Sequence, residues 1–325
     1  MRRYLKTPYL HPVKRILAIF LALRIPNLAL MYLTLALPYW GILRPALLQA
    51  GAIPVLDERL FHLIVAASLL AALSGYIIND YFDVRMDMIN KPLRVVSGKI
   101  LPRAIVLAIY LACVCGVFAL SIYLAQEINQ PYVFWPLWIF PGVTLSLFLY
   151  AWRLKCTPLT GNLLISALCA IVPITLLFPE ERPIWLAYYY APGKIHQAVG
   201  LIWLYAVFAF GANLLREQIK DIEDFEGDSA CNCLTLPVMR GPAYAKKPAI
   251  LTALTLSGLM LLLIYFWFQT SAPFWQIVAG LFALFGASVA VSLRLMTARS
   301  KAHFTQASAL VKLIMFAGVF LLLRY

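Results

Sequence analysis

Two short segments of the sequence hold more than half of its carboxylates. The chain has 14 acidic residues, of which three lie in the first segment and five in the second. Each segment contains the spacing Asp-x-x-Asp-x-x-x-Asp, formed by Asp80, Asp83 and Asp87 in the first segment and by Asp221, Asp224 and Asp228 in the second. In an α-helix, positions i, i+3 and i+7 fall within an arc of about 60°. Each series therefore predicts three carboxylates on one helix face.

Carboxylates gathered in this way repel one another and are costly to remove from water near a membrane. A bound cation removes both costs. Oxygen ligands favour Mg²⁺ or Ca²⁺ over zinc or copper, and Mg²⁺ is typically held by a few carboxylates together with substrate phosphate oxygens. We therefore predict Mg²⁺ as the cofactor. Solvated acids near a membrane would be a serious alternative for one such segment, whereas two segments with identical spacing favour the metal.

Basic residues lie close to the acidic segments or at the ends of predicted helices. Lys91 and Arg94 follow the first segment, and Lys155 closes the fourth predicted helix. Metal-bound acids beside Lys and Arg form the kind of site that binds a diphosphate, because the cations stabilise charge as the leaving group departs. For most single basic residues ordinary membrane topology is the simpler explanation, and Arg94 and Lys155 are the stronger candidates.

The composition indicates which elements carry these residues. The chain of 325 residues is 63% hydrophobic and 13% charged, whereas soluble domains have about 45–50% apolar and about 25% charged residues. A helix that spans a bilayer needs about 20 apolar residues. We therefore predict an all-α membrane protein with about nine transmembrane helices. They lie near residues 17–42, 60–79, 104–126, 133–151, 161–178, 198–215, 248–268, 273–293 and 303–323.

The distribution of Lys and Arg predicts the orientation and the partners. Most basic residues fall at the N-terminus and in every second connection, which places the N-terminus and both acidic segments in the cytosol. The net charge of +13 comes from basic residues scattered between apolar runs. We therefore expect membrane lipid and an anionic substrate as partners, with no nucleic acid and no obligate protein partner. The paired segments also suggest a pseudo-repeat, with halves of about 1–151 and 152–325, in one domain covering residues 1–325.

Three stretches around these residues are similar to one known family. They are NDYFDVRMDMINKPLRVVSGKI (79–100), YAWRLKCTPLTGNL (150–163) and REQIKDIEDFEGD (216–228). The chain resembles the UbiA-type intramembrane prenyltransferases over essentially its whole length. This resemblance implies a nine-helix bundle with a central cavity, a prenyl diphosphate donor, a lipophilic acceptor and Mg²⁺. We expect an integral protein of a bacterial or archaeal inner membrane, with its active site facing the cytosol.

The resemblance also implies roles for individual residues. Metal binding falls on Asn79, Asp80, Asp83, Asp87, Asp221, Asp224 and Asp228. The catalytic residues among them would be Asp83, Asp87, Asp224 and Asp228, and the diphosphate contacts would be Lys91, Arg94 and Lys155. Polar groups inside a predicted span usually face a cavity, which makes Arg24 and Asn27 candidate acceptor contacts; Tyr150 is a third. For Arg24, marking the cytosolic end of the first helix is an equal alternative.

The second acidic segment also indicates a branch of the family. It is most similar to the digeranylgeranylglyceryl phosphate synthase branch, whose acceptor is a prenylated glycerol phosphate. Residues 92–98 read Pro-Leu-Arg-Val-Val-Ser-Gly, whereas that branch usually has Pro-Arg-Pro-hydrophobic-Pro-Ser-Gly. An aromatic or quinone precursor or a tetrapyrrole is therefore an alternative acceptor. A transporter of a cation or a phosphorylated lipid is an alternative from another class, although its acids would be expected nearer the middle of the membrane.

Overall fold

The computed structural model describes residues 24–90, 95, 97–98, 100–128, 134–268 and 275–321. Within these ranges, nine helical segments are long and apolar enough to cross a membrane. Helices satisfy their own backbone hydrogen bonds, which is what a segment surrounded by lipid requires. The predicted all-α fold with about nine spans is confirmed, and the chain is an integral membrane protein.

The helices follow one another with short connections. In chain order they are α1 (Ile25–Pro38), α2 (Arg44–Gln49), α3 (Glu58–Phe82), α4 (Val84–Asn90), α5 (Arg103–Glu127), α6 (Trp135–Trp152), α7 (Thr160–Ile174), α8 (Glu181–Tyr190), α9 (Pro192–Glu223), α10 (Phe225–Ala230), α11 (Leu236–Arg240), α12 (Pro242–Phe268), α13 (Trp275–Thr297) and α14 (Lys301–Leu321). A short π-helix over Tyr39–Leu43 joins α1 to α2, so these two helices form one span, Ile25–Gln49.

The sixth span extends well beyond the apolar run that predicts it. The sequence places it near 198–215, whereas α9 covers Pro192–Glu223, 32 residues. It begins at a proline, which is favoured at the first helical position because no backbone donor is lost there. At its other end it continues through Arg, Glu, Gln, Ile and Lys, most of which are good helix formers. The first aspartate of the second acidic segment therefore lies on a helix that reaches into the membrane.

Internal contacts divide the described residues into two compact units. The first contains the described residues of 24–29, 60–155 and 226–233. The second contains those of 30–59, 156–225 and 234–321. Each unit thus combines segments from distant parts of the chain. The pseudo-repeat of halves 1–151 and 152–325 stays a prediction.

In the first unit, a glycine permits close helix packing, and buried hydroxyl groups bond within their own helices. A Cβ atom at Gly75 on α3 would lie 2.8 Å from Cδ1 of Leu147 on α6. Small residues permit such approaches between membrane helices. Buried Ser121 on α5 and Thr144 on α6 each donate to the carbonyl oxygen four residues earlier, at 2.7 Å and 2.9 Å. No water is available in lipid to replace these bonds.

In the second unit, α9 packs against α7, α12 and α14. An apolar cavity of about 120 Å³ lies between α9, α12, α13 and α14, with Tyr205, Phe208, Met260 and Leu284 among its lining residues. The Tyr205 hydroxyl lies 3.2 Å from Oγ1 of Thr34 and is hydrogen-bonded to it. The remaining lining is apolar, so this cavity suits hydrocarbon groups better than water.

A buried carboxylate holds together the end of the second unit that lies opposite Asp221 on α9. Glu180, between α7 and α8, is fully buried. It accepts hydrogen bonds from the backbone N–H groups of Val55 and Leu56 and from the Tyr39 hydroxyl, all at 2.9 Å. Burial raises the pKa of Glu180, although these hydrogen bonds oppose the rise. The pH-dependent part of its contribution to stability is therefore complete below the ordinary glutamate pKa and is lost as the pH rises through the raised pKa. The ionised carboxylate still accepts the three hydrogen bonds.

We expect Glu180→Ala to lower the free energy of unfolding by about 3 kcal/mol, because buried donors that lose their acceptor cost about 1–3 kcal/mol each. Thermal unfolding of the purified protein in detergent measures the change. The neighbouring Glu181 is exposed in the first turn of α8, so Glu181→Ala should unfold at the wild-type temperature. Equal unfolding temperatures for the two variants would contradict the role of Glu180.

Candidate active site

The first acidic segment lies where α3 passes into α4 in the first unit. Asn79 and Asp80 lie in the last turn of α3, and Asp87 lies on α4. The backbone N–H of Asp83 donates to the carbonyl of Asn79 at 2.9 Å, and that of Asp87 donates to the carbonyl of Asp83 at 2.8 Å. Helical hydrogen bonding thus continues across the junction between the two helices. The backbone from Asn79 to Asp87 is therefore helical, as the prediction of a shared face for the three aspartates assumes.

Asp83 is the most deeply buried carboxylate of this segment, with 2% of its surface exposed. Its Oδ2 atom accepts hydrogen bonds from Nδ2 of Asn79 at 2.5 Å and from Nζ of Lys155. Its Oδ1 atom is also buried and has no hydrogen-bond partner among the described residues. A buried, unsatisfied carboxylate oxygen is uncommon and is the kind of ligand that Mg²⁺ prefers. The residues present therefore fit the metal that the sequence predicts.

Lys155 comes to this carboxylate from a different part of the chain. It lies in the short turn Leu154–Cys156 that follows α6, and its ammonium group forms an ion pair with Asp83. The lysine occupies one oxygen of the carboxylate and leaves the other for a cation. Tyr150, two residues before the end of α6, is buried with 8% exposed.

Arg24 contacts the first acidic segment directly. Its guanidinium donates to Oδ1 of Asp80 at 3.1 Å and lies over the ring of Tyr76, 4.6 Å from the ring centroid. The sequence indicates either an acceptor contact or the cytosolic end of the first helix for Arg24. The structure places its charge against an aspartate of the segment, and the role as an acceptor contact stays a prediction. The backbone N–H of Asn27 donates to the carbonyl of Arg24 at 2.8 Å, which starts α1 beside this pair.

The end of the second acidic segment belongs to the same unit as the first. The backbone N–H of Gly227 on α10 donates to Oδ1 of Asn90, the last residue of α4, at 3.2 Å. A Cβ atom at position 227 would meet the Asn90 side chain, so a larger residue would displace that side chain and disturb this hydrogen bond. The next residue, Asp228, is buried with 4% exposed. Asn90 gave no signal in the sequence, because an isolated Asn at a helix end is common in any protein.

The rest of the second segment lies in the second unit. Oδ2 of Asp221 accepts a hydrogen bond from Nδ2 of Asn162 on α7 at 2.8 Å. Asp224 ends α9, with its backbone N–H bonded to the Lys220 carbonyl at 2.8 Å. One turn before Asp221, buried Glu217 pairs with Arg216 at 2.5 Å and with Lys220 at 3.5 Å. Sequence reasoning did not single out Asn162 or Glu217, although both lie within the stretches that resemble the family.

Two predicted diphosphate contacts, Lys91 and Arg94, lie outside the described residues. In the part of the chain that the structure does describe, no three or more His, Cys, Asp or Glu side chains are arranged to hold a metal ion. Mg²⁺ commonly binds through one or two carboxylates together with substrate phosphates, so a carboxylate such as Asp83 can serve as one of its ligands.

Comparison with known proteins agrees with the family resemblance found in the sequence. A family model described as the UbiA prenyltransferase family matches residues 34–317. A digeranylgeranylglyceryl phosphate synthase of Methanopyrus kandleri is 36% identical over 60% of this chain and 63% of its own length. The chain spans about three fifths of the length of the first curated relatives that it matches.

Two solved structures share the fold. A digeranylgeranylglyceryl phosphate synthase structure has a TM-score of 0.60 at 20% identity and covers 95% of this chain and 97% of its own. A UbiA homolog from Archaeoglobus fulgidus bound to GPP and Mg²⁺ has a TM-score of 0.52 at 16% identity and covers 94% and 99%. At these identities the likeness concerns the arrangement of helices alone.

Proposed function

The chain belongs to the UbiA prenyltransferase family, and on that premise we propose that it transfers a prenyl group from a prenyl diphosphate to a lipophilic acceptor, with Mg²⁺ as cofactor. The observation that carries the proposal is the environment of Asp83. One of its buried oxygens is held by Asn79 and Lys155, while the other has no hydrogen-bond partner in the described ranges. A carboxylate in that state beside a lysine suits a metal-bound diphosphate.

In the proposed mechanism the residues of both acidic segments hold the metal and the donor. Asn79, Asp80, Asp83 and Asp87 from the first segment and Asp221, Asp224 and Asp228 from the second would be the ligands. Bound Mg²⁺ supplies charge neutralisation for the departing diphosphate. Lys155 adds a positive charge next to Asp83 that favours the same departure. Lys91 and Arg94 are further proposed diphosphate contacts.

The proposed reaction breaks the bond between the allylic carbon and the diphosphate oxygen. The electron pair leaves with the diphosphate, and the acceptor oxygen then forms a new bond to the allylic carbon. The acceptor hydroxyl loses its proton to a carboxylate of the acidic segments, for which Asp83, Asp87, Asp224 and Asp228 are the candidates. Arg24, Asn27 and Tyr150 are proposed acceptor contacts, with Arg24 acting from its position beside Asp80.

We propose a prenylated glycerol phosphate as the acceptor, which makes the product an ether lipid. The second acidic segment and the relatives named digeranylgeranylglyceryl phosphate synthase support this choice. An aromatic or quinone precursor, or a tetrapyrrole, is the second candidate because residues 92–98 differ from that branch. The distribution of Lys and Arg supports an active site that faces the cytosol of a bacterial or archaeal cell.

Product mass and pyrophosphate release test the proposal. Purified protein with geranylgeranyl diphosphate, Mg²⁺ and geranylgeranylglyceryl phosphate should release pyrophosphate and form a digeranylgeranyl ether, and EDTA should abolish both signals because the diphosphate loses its counter-charge. Excess Mg²⁺ after EDTA should restore them. Turnover only with an aromatic acceptor would overturn the ether-lipid assignment. Binding of phosphorylated lipid without turnover of any donor would favour a transporter.

A further inference from the structure

The two acidic segments differ in how an aspartate oxygen is held. In the first segment, Asn79 lies four residues before Asp83 on the same helical stretch and donates to its Oδ2 atom at 2.5 Å. In the second segment, the aspartate that corresponds to Asp83 is Asp224, and the residue four positions before it is Lys220. No aspartate of the second segment has an amide side chain four positions before it on its own stretch, because these positions hold Glu217, Lys220 and Asp224.

In the second segment, an amide from another helix holds an aspartate oxygen. Asn162 lies in the first turn of α7, and its Nδ2 atom donates to Oδ2 of Asp221 at 2.8 Å. Only 4% of Asn162 is exposed, so water cannot readily replace it as a donor. The opposite orientation of the amide would place its oxygen against a carboxylate oxygen, which is repulsive. The identity of the donor atom therefore follows from the chemistry of the pair.

A row of buried polar groups continues from the turn of α7 that carries Asn162 towards α9. Buried Ser166 donates to the carbonyl oxygen of Asn162 at 2.6 Å, and Nδ2 of buried Asn213 on α9 donates to Oγ of Ser166 at 3.4 Å. Leu159, directly before α7, has φ of 66°. A branched residue rarely adopts this left-handed conformation, and such strain is found preferentially at functional sites. The start of α7 is thus fixed in the position that brings Asn162 to Asp221.

We propose that Asn162 is a positioning residue that fixes the carboxylate of Asp221 for metal binding. The proposal rests on the proposed function, in which Asp221 is a ligand of Mg²⁺. Glu217, Asp221 and Asp224 are spaced i, i+4 and i+7, so their carboxylates share one face and repel one another. A donor from α7 offsets this repulsion and holds one oxygen of Asp221 in place. Hydrogen-bond partners of metal ligands orient those ligands in the same way in many metal sites.

Asn162→Leu tests the proposal, because leucine has a similar volume and no donor. Unfolding temperature is measured against Mg²⁺ concentration at a fixed concentration of inorganic pyrophosphate, so the readout does not depend on turnover. The Mg²⁺ concentration that gives half of the maximal stabilisation should rise about 10- to 100-fold, as is typical when such a partner is lost. Thr175→Val is the control. It removes a buried side-chain donor with little change in volume at the other end of α7, where Thr175 bonds to the carbonyl oxygen of Ile171, and it should respond to Mg²⁺ like the wild type.

The outcomes separate this inference from the proposed function. A wild-type protein with no Mg²⁺ response in pyrophosphate would overturn the proposed function and this inference together. A normal wild-type response that Asn162→Leu shares would overturn the inference alone. If Asn162→Leu yields no folded protein, Asn162→Ser takes its place, since the serine hydroxyl is too short to reach Asp221.

Discussion

Asp83→Ala should lower the rate of prenyl transfer by about 1,000-fold or more. The substitution removes the buried Oδ1 atom that fits a metal, and it leaves the charge of Lys155 without the carboxylate that it pairs with. Both losses act where charge develops on the departing diphosphate. The rate is measured as ether product formed per minute by mass spectrometry, with geranylgeranyl diphosphate and Mg²⁺ at saturating concentrations.

The matched control for this variant is Asp57→Ala. Asp57 is exposed in the connection before α3, at the opposite end of that helix from Asp83, so its loss should leave the rate unchanged. Unfolding temperatures of both variants show whether folded protein is being compared. An Asp83→Ala enzyme that folds and keeps more than a tenth of the wild-type rate would show that Asp83 is not a ligand in the reaction.

Lys155→Met should lower the rate of transfer by about 100-fold, the magnitude found when one group that stabilises developing charge is removed. Methionine keeps most of the side-chain length but carries no charge. The half-saturating concentration of the prenyl diphosphate should also rise, because the lysine attracts the diphosphate before the reaction as well as during it. Initial rates over a range of donor concentrations separate the two effects.

Lys247→Met is the control for the loss of positive charge in Lys155→Met. Lys247 is exposed at the start of α12, with its ammonium 5.4 Å from the ring centroid of Tyr244. The same substitution there removes one positive charge without touching an acidic segment, so the rate should stay at the wild-type value. If both lysine variants lose activity equally, the effect of Lys155 reflects general charge and not a contact with the diphosphate.

The sequence predicts the features that depend on residues close together in the chain, such as the membrane spans and the helical spacing of the aspartates. Long apolar runs predict the nine spans because a helix in lipid must satisfy its own backbone. The series Asp80, Asp83 and Asp87 predicts a shared helix face because helical spacing is fixed, and the backbone hydrogen bonds from Asn79 through Asp87 are helical. Lys155 also follows from a short motif at the end of an apolar run, and the structure places it on Asp83.

Contacts between distant segments could not be predicted in this way. Asn162 and Asp221 are 59 residues apart, and Asn90 and Gly227 are 137 residues apart. No local pattern in the sequence shows that Asn162 meets Asp221 or that Asn90 meets Gly227. The contact between Arg24 and Asp80 could not be predicted for the same reason. The position of Arg24 in an apolar run indicates a cavity but does not identify the residue with which it pairs.

The buried carboxylate of Glu180 has a consequence for a membrane that carries a proton gradient. Glu180 follows α7 and precedes α9, whereas Asp221 lies at the other end of the same two helices. The two carboxylates therefore lie at opposite ends of one helix pair, and in the proposed orientation, with the acidic segments in the cytosol, the Glu180 end lies towards the exterior. In sealed vesicles, acidifying the solution on the Glu180 side alone would strengthen the fold without changing the proton supply of the reaction. In the proposed orientation, a cell that acidifies only its exterior would stabilise this protein while the pH at the acidic segments stays the same.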